Sequence, residues 1–371
     1  MKKLGFGMMR LPLKNAEDPK SVDMPKVCRM VDTFLERGFT YFDTAYMYHG
    51  FQSEIVVRET LVKRHPRDSF VLASKLPTMH LKQEGDQERI FAEQLEKCGV
   101  EYFDYYLLHN LNTPHYEIAK RFDSFAFVSR LKAEGKVRKM GFSFHDTAEV
   151  LEQILCDHPE VDFVQLQLNY LDWEHDGIQS RLCYETCVKH GKPVIVMEPV
   201  KGGTLAKVPS RVEEMFKNAR PEMSVASWAI RFAASQEHVF MVLSGMSDMD
   251  QLLDNLSYMY RMEPMSAAEL ALLPKAVKII YEDIGVACTG CRYCVDGCPK
   301  HIAIPEYFSL YNAEMHAENK GFSTQQVYYE NLIETHGKAS DCIRCRKCEK
   351  SCPQHIRIVD ALKKVAEAFE D

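Results

Sequence analysis

Phe39-Thr40-Tyr41-Phe42-Asp43-Thr44-Ala45-Tyr46-Met47-Tyr48 is a short apolar run that stops at a carboxylate and is followed at once by two phenols. Apolar runs of this length, set between amphipathic stretches, suit strands buried on both faces. The pattern recurs at Phe70–Lys75, Tyr102–His109, Val137–Ser143, Phe163–Asn169, Val194–Glu198 and Val239–Gly245. Such alternation from residue 39 to about 260 predicts repeated strand–helix units and a parallel sheet. Leu4–Leu13 does not look like a further strand, because Gly5, Gly7 and Pro12 suggest a turn or short hairpin. The count is then seven, unless Lys3–Met9 or a poorly patterned segment supplies an eighth. This number of units over roughly 260 residues fits a TIM barrel better than an open doubly wound sheet.

In a TIM barrel, reactive groups gather at the carboxyl ends of the strands. Three successive candidate strands end in such groups: Phe42-Asp43 with the phenols beyond it, Ser74-Lys75, and Leu108-His109. Neighbouring strands lie ~4.8 Å apart, so these ends can meet across one site. A lysine ammonium beside a phenol is expected to lower its pKa from the reference near ~10. Asp43 would hold Lys75, and His109 would hydrogen-bond a carbonyl oxygen. The set suits proton donation to an oxygen as a hydride arrives at its carbon. Taken singly, each residue has an ordinary structural role: a strand-end aspartate often caps a helix, and a histidine among apolar neighbours often only packs.

A cysteine phrase is repeated near the end of the chain, Cys288-x2-Cys291-x2-Cys294-x3-Cys298-Pro299 and Cys342-x2-Cys345-x2-Cys348-x3-Cys352-Pro353. Three thiolates at this spacing can wrap one corner of a cubic four-iron four-sulfur cluster, and the fourth, before proline, serves a second cluster. Cys288, Cys291, Cys294 and Cys352 are expected to hold one cluster, and Cys342, Cys345, Cys348 and Cys298 the other. A pair of structural zinc sites is the alternative, but zinc sites seldom space their ligands as three plus one. Cys28, Cys98, Cys156, Cys183 and Cys187 are left over, with Cys183 and Cys187 spaced as buried neighbours on one helix face.

The chain has 371 residues, 46% of them apolar and 27% charged, enough for one large domain and a small one. A net charge of -7 argues against nucleic acid as a partner. The short basic stretch Arg344, Arg346, Lys347 and Lys350 would balance an anionic cluster or dock an acidic redox partner. The apolar start is broken by Arg10 and Pro12 before a secretory h-region is complete, and no run approaches the ~18 apolar residues of a membrane span. Thiols devoted to clusters imply a reducing compartment, so the expected location is the cytoplasm.

Phe42-Asp43-Thr44-Ala45-x2-Tyr48, Ser74-Lys75 and Leu108-His109 resemble the tetrad motifs of the aldo/keto reductases, over roughly residues 1 to 260. The cysteine-rich remainder resembles the ferredoxin-type extension of one bacterial branch of that family. The resemblance implies an eight-stranded barrel, a nicotinamide cofactor, and a tetrad of Asp43, Tyr48, Lys75 and His109. It also assigns cofactor contacts. Ser143 and Gln165 correspond to the carboxamide contacts, with Phe144 where an asparagine is usual. Glu198-Pro199-Val200-Lys201-Gly202-Gly203 resembles the loop that passes the pyrophosphate, giving Pro199, Gly202 and Gly203. Gly245 and Asn255 fall in the adenosine-phosphate segment, and Gln251 stands where many members carry an arginine for a 2'-phosphate. Family habit favours NADPH and the missing charge allows NADH.

The expected organisation is thus a barrel over 1–262, a helical linker over 263–284 and a small, mainly helical ferredoxin-like domain over 285–371. The expected activity is interconversion of a carbonyl and an alcohol, with two 4Fe-4S clusters for electron transfer or structure and a ferredoxin or flavodoxin as candidate partner. The alternative is a non-catalytic redox sensor, or an electron-transfer subunit, with a vestigial barrel; an intact tetrad speaks against it.

Overall fold

The computed structural model describes residues 2–15, 18–175, 178–315 and 324–370. It contains two compact units, one made of Met1–Pro199 with Glu222–Ala267 and the other of Val200–Pro221 with Ala268–Asp371. The segment Val200–Pro221 therefore belongs by compactness with the cysteine-rich part, although barrel sequence flanks it on both sides.

The first unit is a closed parallel barrel of eight strands, each paired with its sequence neighbours. These are β1 (Leu4–Gly7), β2 (Tyr41–Asp43), β3 (Val71–Leu76), β4 (Phe103–Leu111), β5 (Val137–Phe144), β6 (Phe163–Gln167), β7 (Val194–Met197) and β8 (Val239–Gly245). Amphipathic helices connect them. In the helix Met24–Glu36, for example, Val27, Met30, Val31 and Phe34 are buried, and the Asp23 carboxylate accepts from the Lys26 N–H to start the first turn.

The eighth strand is β1, in the segment whose glycines suggested a turn. Leu4–Gly7 pairs in parallel with β2 on one side and with β8 on the other, and so closes the barrel. Its glycines answer to space and not to a turn. A Cβ on Gly5 would lie 2.7 Å from Leu243 Cδ2 and 3.0 Å from Tyr41 Cδ1, because side chains from neighbouring strands already fill the interior there. Gly141 on β5 meets the same constraint, its absent Cβ facing the Phe163 carbonyl oxygen at 2.5 Å.

Tyr41, Ala73, Leu107, Phe163, Ile195, Met241 and Leu243 form the packed interior, with Val71, Tyr105 and Phe240 against it. Strand side chains alternate with period two, so the residue two places beyond each interior residue faces inward at the carboxyl end. Tyr41 leads to Asp43, Ala73 to Lys75, Leu107 to His109, Gly141 to Ser143 and Phe163 to Gln165. One parity therefore produces both the apolar plug and the polar mouth above it.

The second unit is mainly helical. Its helices are Ser210–Ala219, Ala267–Leu270, Leu273–Asp283, Ile304–Glu314, Thr324–Ile333, Lys347–Lys350 and Ile358–Phe369. Around a small core of Ile302, Ile304, Tyr307, Phe308, Tyr329, Ile358, Leu362, Val365 and Phe369 the two cysteine phrases run mostly as loops, with Cys348 on the short helix Lys347–Lys350. Helices were expected between the phrases and are found on both sides of 316–323, a stretch outside the described residues. Among the described residues, no helix is long and apolar enough to cross a membrane.

Candidate functional site

Asp43 at the end of β2 and Lys75 near the end of β3 form a buried ion pair, with Lys75 Nζ 2.6 Å from Asp43 Oδ1. The same ammonium donates to the Thr44 carbonyl at 2.8 Å and reaches the Tyr48 hydroxyl at 3.4 Å. The His109 ring stands edge-on to the Tyr48 ring, with centroids 5.9 Å apart. The four residues proposed from the strand ends are therefore gathered at one point.

Burial disfavours charge, and it dominates the electrostatics of the site. It pushes the Asp43 carboxyl up and the Lys75 ammonium down, and each partner opposes the shift of the other. Burial, followed by the positive charge of Lys75, holds His109 well below the usual histidine range, so its imidazole is neutral. Its Nδ1 is buried without a hydrogen-bond partner among the described residues. For Tyr48 the direction differs from the sequence expectation. Burial, then the charges of Asp43 and Glu198, raise the phenol well above its ordinary value, and Arg10 opposes them. The Asp43 carboxylate neutralises the lysine that was expected to acidify the phenol, and desolvation then decides the sign.

Several supporting residues lay outside the sequence reading. Glu54, fully buried, accepts from Ser74 Oγ at 2.7 Å and from Gln94 Nε2 at 2.6 Å, and Gln94 also donates to the Lys75 carbonyl at 3.0 Å. This network fixes the backbone of β3 beneath the lysine. Glu54 belongs to the short helix Ser53–Val57, whose sequence carries no signal that separates a buried carboxylate from an exposed one. His49 anchors the turn that carries Tyr48: its Nε2 accepts from the Leu11 N–H at 3.3 Å and its Nδ1 lies 2.9 Å from the Pro19 carbonyl oxygen. The backbone at His49 and Gly50 is left-handed, with φ of 52° and 58°.

Ser143, Gln165, Pro199 and Gly245, expected to contact the cofactor, lie on or just after β5, β6, β7 and β8. Ser143 and Gln165 are side by side in the β5–β6 register and buried. The Ser143 hydroxyl accepts from the Asn110 N–H at 2.7 Å, whereas Gln165 Oε1 has no partner among the described residues. Phe144 is buried. Pro199 is buried after β7, and Gly202 and Gly203 take left-handed φ values of 64° and 105°. Gly245 ends β8, and Arg10 lies along it, 3.2 Å from where a Cβ would stand. Arg10, missed in the sequence, brings a cation to this segment and reaches Glu198 at 3.5 Å. Gln251 is exposed and its Oε1 accepts from the Ser247 N–H at 2.8 Å. Asn255 is buried, with its amide donating to Ser244 Oγ at 2.7 Å and accepting from the Tyr258 hydroxyl at 2.5 Å.

In the second unit, Cys288, Cys291, Cys294 and Cys352 line one cavity. Cys298, Cys342, Cys345 and Cys348 line another. Each cavity thus takes three thiols from one phrase and the fourth from the other. Burial, then the neighbouring thiolates of Cys291, Cys288 and Cys352, push the Cys294 thiol far up. Burial first, with Cys342 and Cys298 contributing, pushes Cys348 up to about 11. Four sulfurs repelling one another in an apolar cavity are a poor arrangement for thiolates alone and a good one around a cationic iron–sulfur core, so the donor set fits such a group. Of the remaining cysteines, Cys98, Cys183 and Cys187 are buried, Cys28 is intermediate and Cys156 is exposed.

Residues 3–277 match the aldo/keto reductase family. The chain belongs to that family. A second match, over 287–356, is to the 4Fe-4S dicluster domain. Among curated relatives, an NADH-specific methylglyoxal reductase of Escherichia coli is 25% identical over 270 residues, 61% of this chain and 81% of that protein. A probable aldo-keto reductase of Glycine max is 26% identical over 182 residues, 47% of this chain and 49% of that protein. Solved aldo-keto reductases share the fold: one from Klebsiella pneumoniae in complex with NADPH has a TM-score of 0.57 at 22% identity, covering 74% of this chain and 90% of its own. Another, from Bacillus halodurans in its holo form, has a TM-score of 0.58 at 22% identity, covering 74% and 91%. As an aldo/keto reductase, this chain is an oxidoreductase with a TIM barrel and a mainly helical 4Fe-4S domain.

Proposed function

We propose that this aldo/keto reductase interconverts a carbonyl and an alcohol at the mouth of its barrel, with a nicotinamide dinucleotide as the hydride carrier. The observation that carries the reading is the Lys75 ammonium held between Asp43 at 2.6 Å and the Tyr48 hydroxyl at 3.4 Å. Bound nicotinamide supplies or accepts the hydride. Tyr48 keeps its proton at neutral pH and gives it to the substrate oxygen. The neutral His109 imidazole orients that oxygen by a hydrogen bond, and Lys75 stabilises the negative charge left on the phenolate. Asp43 holds the ammonium in place.

Ser143 and Gln165 are the residues we assign to the nicotinamide carboxamide, Pro199, Gly202 and Gly203 to the pyrophosphate, and Gly245, Gln251 and Asn255 to the adenosine end. Asn255 contributes there through the packing of Ser244 and Tyr258, since its amide is already bonded to both. The Klebsiella relative was solved with NADPH and the Escherichia coli relative is named NADH-specific, and Gln251 offers no charge that would favour either.

The second unit, in this reading, holds two 4Fe-4S clusters: Cys288, Cys291, Cys294 and Cys352 bind one, and Cys342, Cys345, Cys348 and Cys298 the other. Two cavities with crossed ligand sets support it. Cys345 is exposed, as are Arg344, Arg346, Lys347 and Lys350 around it. That favours electron exchange with an acidic protein of the ferredoxin or flavodoxin class through the second cluster. The domain boundaries at 262 and 284 remain our functional division, with Val200–Pro221 joining the cluster unit by compactness.

Deuterium at the transferable position of NADPH or NADH should appear on the carbonyl carbon of a reduced aldehyde or ketone, read by mass spectrometry of the alcohol. Failure of both cofactors to transfer label to a panel of aldehydes and ketones would refute the activity. Iron and sulfide counts on anaerobically purified protein test the clusters separately, with eight of each expected for two 4Fe-4S centres.

A further inference from the structure

Lys201 is buried, 2% exposed, and its Nζ donates to Gln354 Oε1 at 2.8 Å. Gln354 is itself buried and lines the same cavity as Cys288, Cys291, Cys294 and Cys352. Directly after the lysine, Gly202 rests on another wall of that cavity. A Cβ there would stand 2.7 Å from the Thr289 carbonyl oxygen and 2.8 Å from its Cα, and Thr289 is a lining residue. The backbone at Lys201 is left-handed, φ 46°, which a lysine adopts only where its surroundings hold it there. The segment is therefore built against this one cavity, and it brings a buried cation with it. The other cavity has no comparable feature among its described lining residues, where Lys300 and Arg346 are both exposed to water.

We propose that Lys201 is a positioning residue for the cluster held by Cys288, Cys291, Cys294 and Cys352, raising its reduction potential above that of the second cluster. The inference rests on the cluster assignment made above. Reduction adds one electron to the cluster and breaks no bond. A fixed positive charge in a low-dielectric setting favours the more negative, reduced form, whereas exposed cations around the other cavity are screened by water. Net charge, hydrogen bonding and exposure are the levers by which protein surroundings set such potentials. Electrons entering at the exposed second cluster would then run downhill to the first.

The test is a potentiometric titration of the anaerobic full-length protein with dithionite, followed by electron paramagnetic resonance, beside iron and sulfide counts. Lys201→Met should shift the reduction equilibrium of one centre at least tenfold toward the oxidised form, 59 mV for a one-electron couple, and leave the other unmoved. The centre that shifts should be the one disturbed by Cys352→Ala. Lys201→Arg should restore the wild-type potential. The proposal is overturned if neither centre moves, if both move equally, or if the arginine variant falls as far as the methionine one. Should Lys201→Met fail to assemble, Gln354→Glu sets an anion against the lysine with little change of shape. It should lower the same potential, and an unchanged potential there also overturns the proposal. Wild-type protein lacking iron and sulfide would instead defeat the cluster assignment itself.

Discussion

The barrel mouth and the thiol cavities both gather reactive side chains, but by opposite means. At the mouth, Asp43, Lys75, Ser143 and Gln165 sit on strands whose pairing fixes their height and whose alternation fixes their direction, and His109 stands on β4 where its pairing with β5 shifts register. In the second unit the eight cysteines lie on loops, except Cys348 on the short helix Lys347–Lys350, with left-handed backbone at Gly290, Arg292, Arg344 and Arg346, around a small core. Cys294 and Cys348 belong to that core. The comparison teaches that one site is a product of its fold, while the other is a part of its fold.

If that is right, removing metal is the largest perturbation available. Iron chelation without oxygen should release amide protection across the cysteine-rich part, 285–371, in hydrogen exchange, while β1 to β8 stay protected, because ligand binding energy is folding energy in a small metal-bound unit. Protection retained throughout 285–371 after complete iron loss would erase the distinction between the two regions. The next largest effect belongs to the mouth. Tyr48→Phe removes the donated proton and almost no volume, so turnover should fall by ~10^2-fold or more, about 2.7 kcal/mol in the transition state, with the melting temperature nearly unchanged. Unchanged turnover would remove Tyr48 from its assigned role.

Gly141→Ala probes the interior that supports the mouth. The added Cβ would face the Phe163 carbonyl oxygen at 2.5 Å, backbone that cannot rotate away, and the cost should be about 2 kcal/mol in urea unfolding of the barrel. A stability equal to wild type would show that the strands are free to part there. The pH dependence follows from the phenol. Its acid form is the proton donor and its pKa is raised, so carbonyl reduction is supported below that pKa and lost only as pH rises through it. The rate should therefore show no alkaline decline up to about pH 10, the ordinary tyrosine value. A fall centred near neutrality would mean that Lys75 governs the phenol after all. The smallest expected effect is cofactor choice. With Gln251 in place of a cation, NADPH and NADH should differ in direct binding by less than about 1.4 kcal/mol, or tenfold. A hundredfold preference for NADPH would point to Arg10 as the phosphate's partner.

Legibility in the sequence followed the same division. Asp43, Lys75 and His109 could be read because each ends an apolar run, Tyr48 was chosen by the family resemblance, and seven strands could be read because fully buried strands are continuously apolar. β1 was not legible: Gly5 and Gly7 serve the barrel interior, and a glycine demanded by a neighbour's side chain looks the same in sequence as one demanded by a turn. Glu54, Gln94 and His49 were invisible for a related reason. Their partners lie 12 to 40 residues away, and nothing local marks a polar residue as buried.

By itself, then, the sequence determined which chemistry this chain carries: strand-end Asp43, Lys75 and His109 with a phenol beyond, and eight cysteines in two repeated phrases. Spacing suffices for these because strand alternation and ligand bite are local geometry. Only the tertiary structure decided the sign of the Tyr48 shift, the closure of the barrel by β1, the crossing of thiols between the two cavities and the burial of Lys201 against one of them. Those depend on which distant groups share a dry space, and the strength of a charge or the room for a methyl group is set by that neighbourhood and not by the order of residues along the chain.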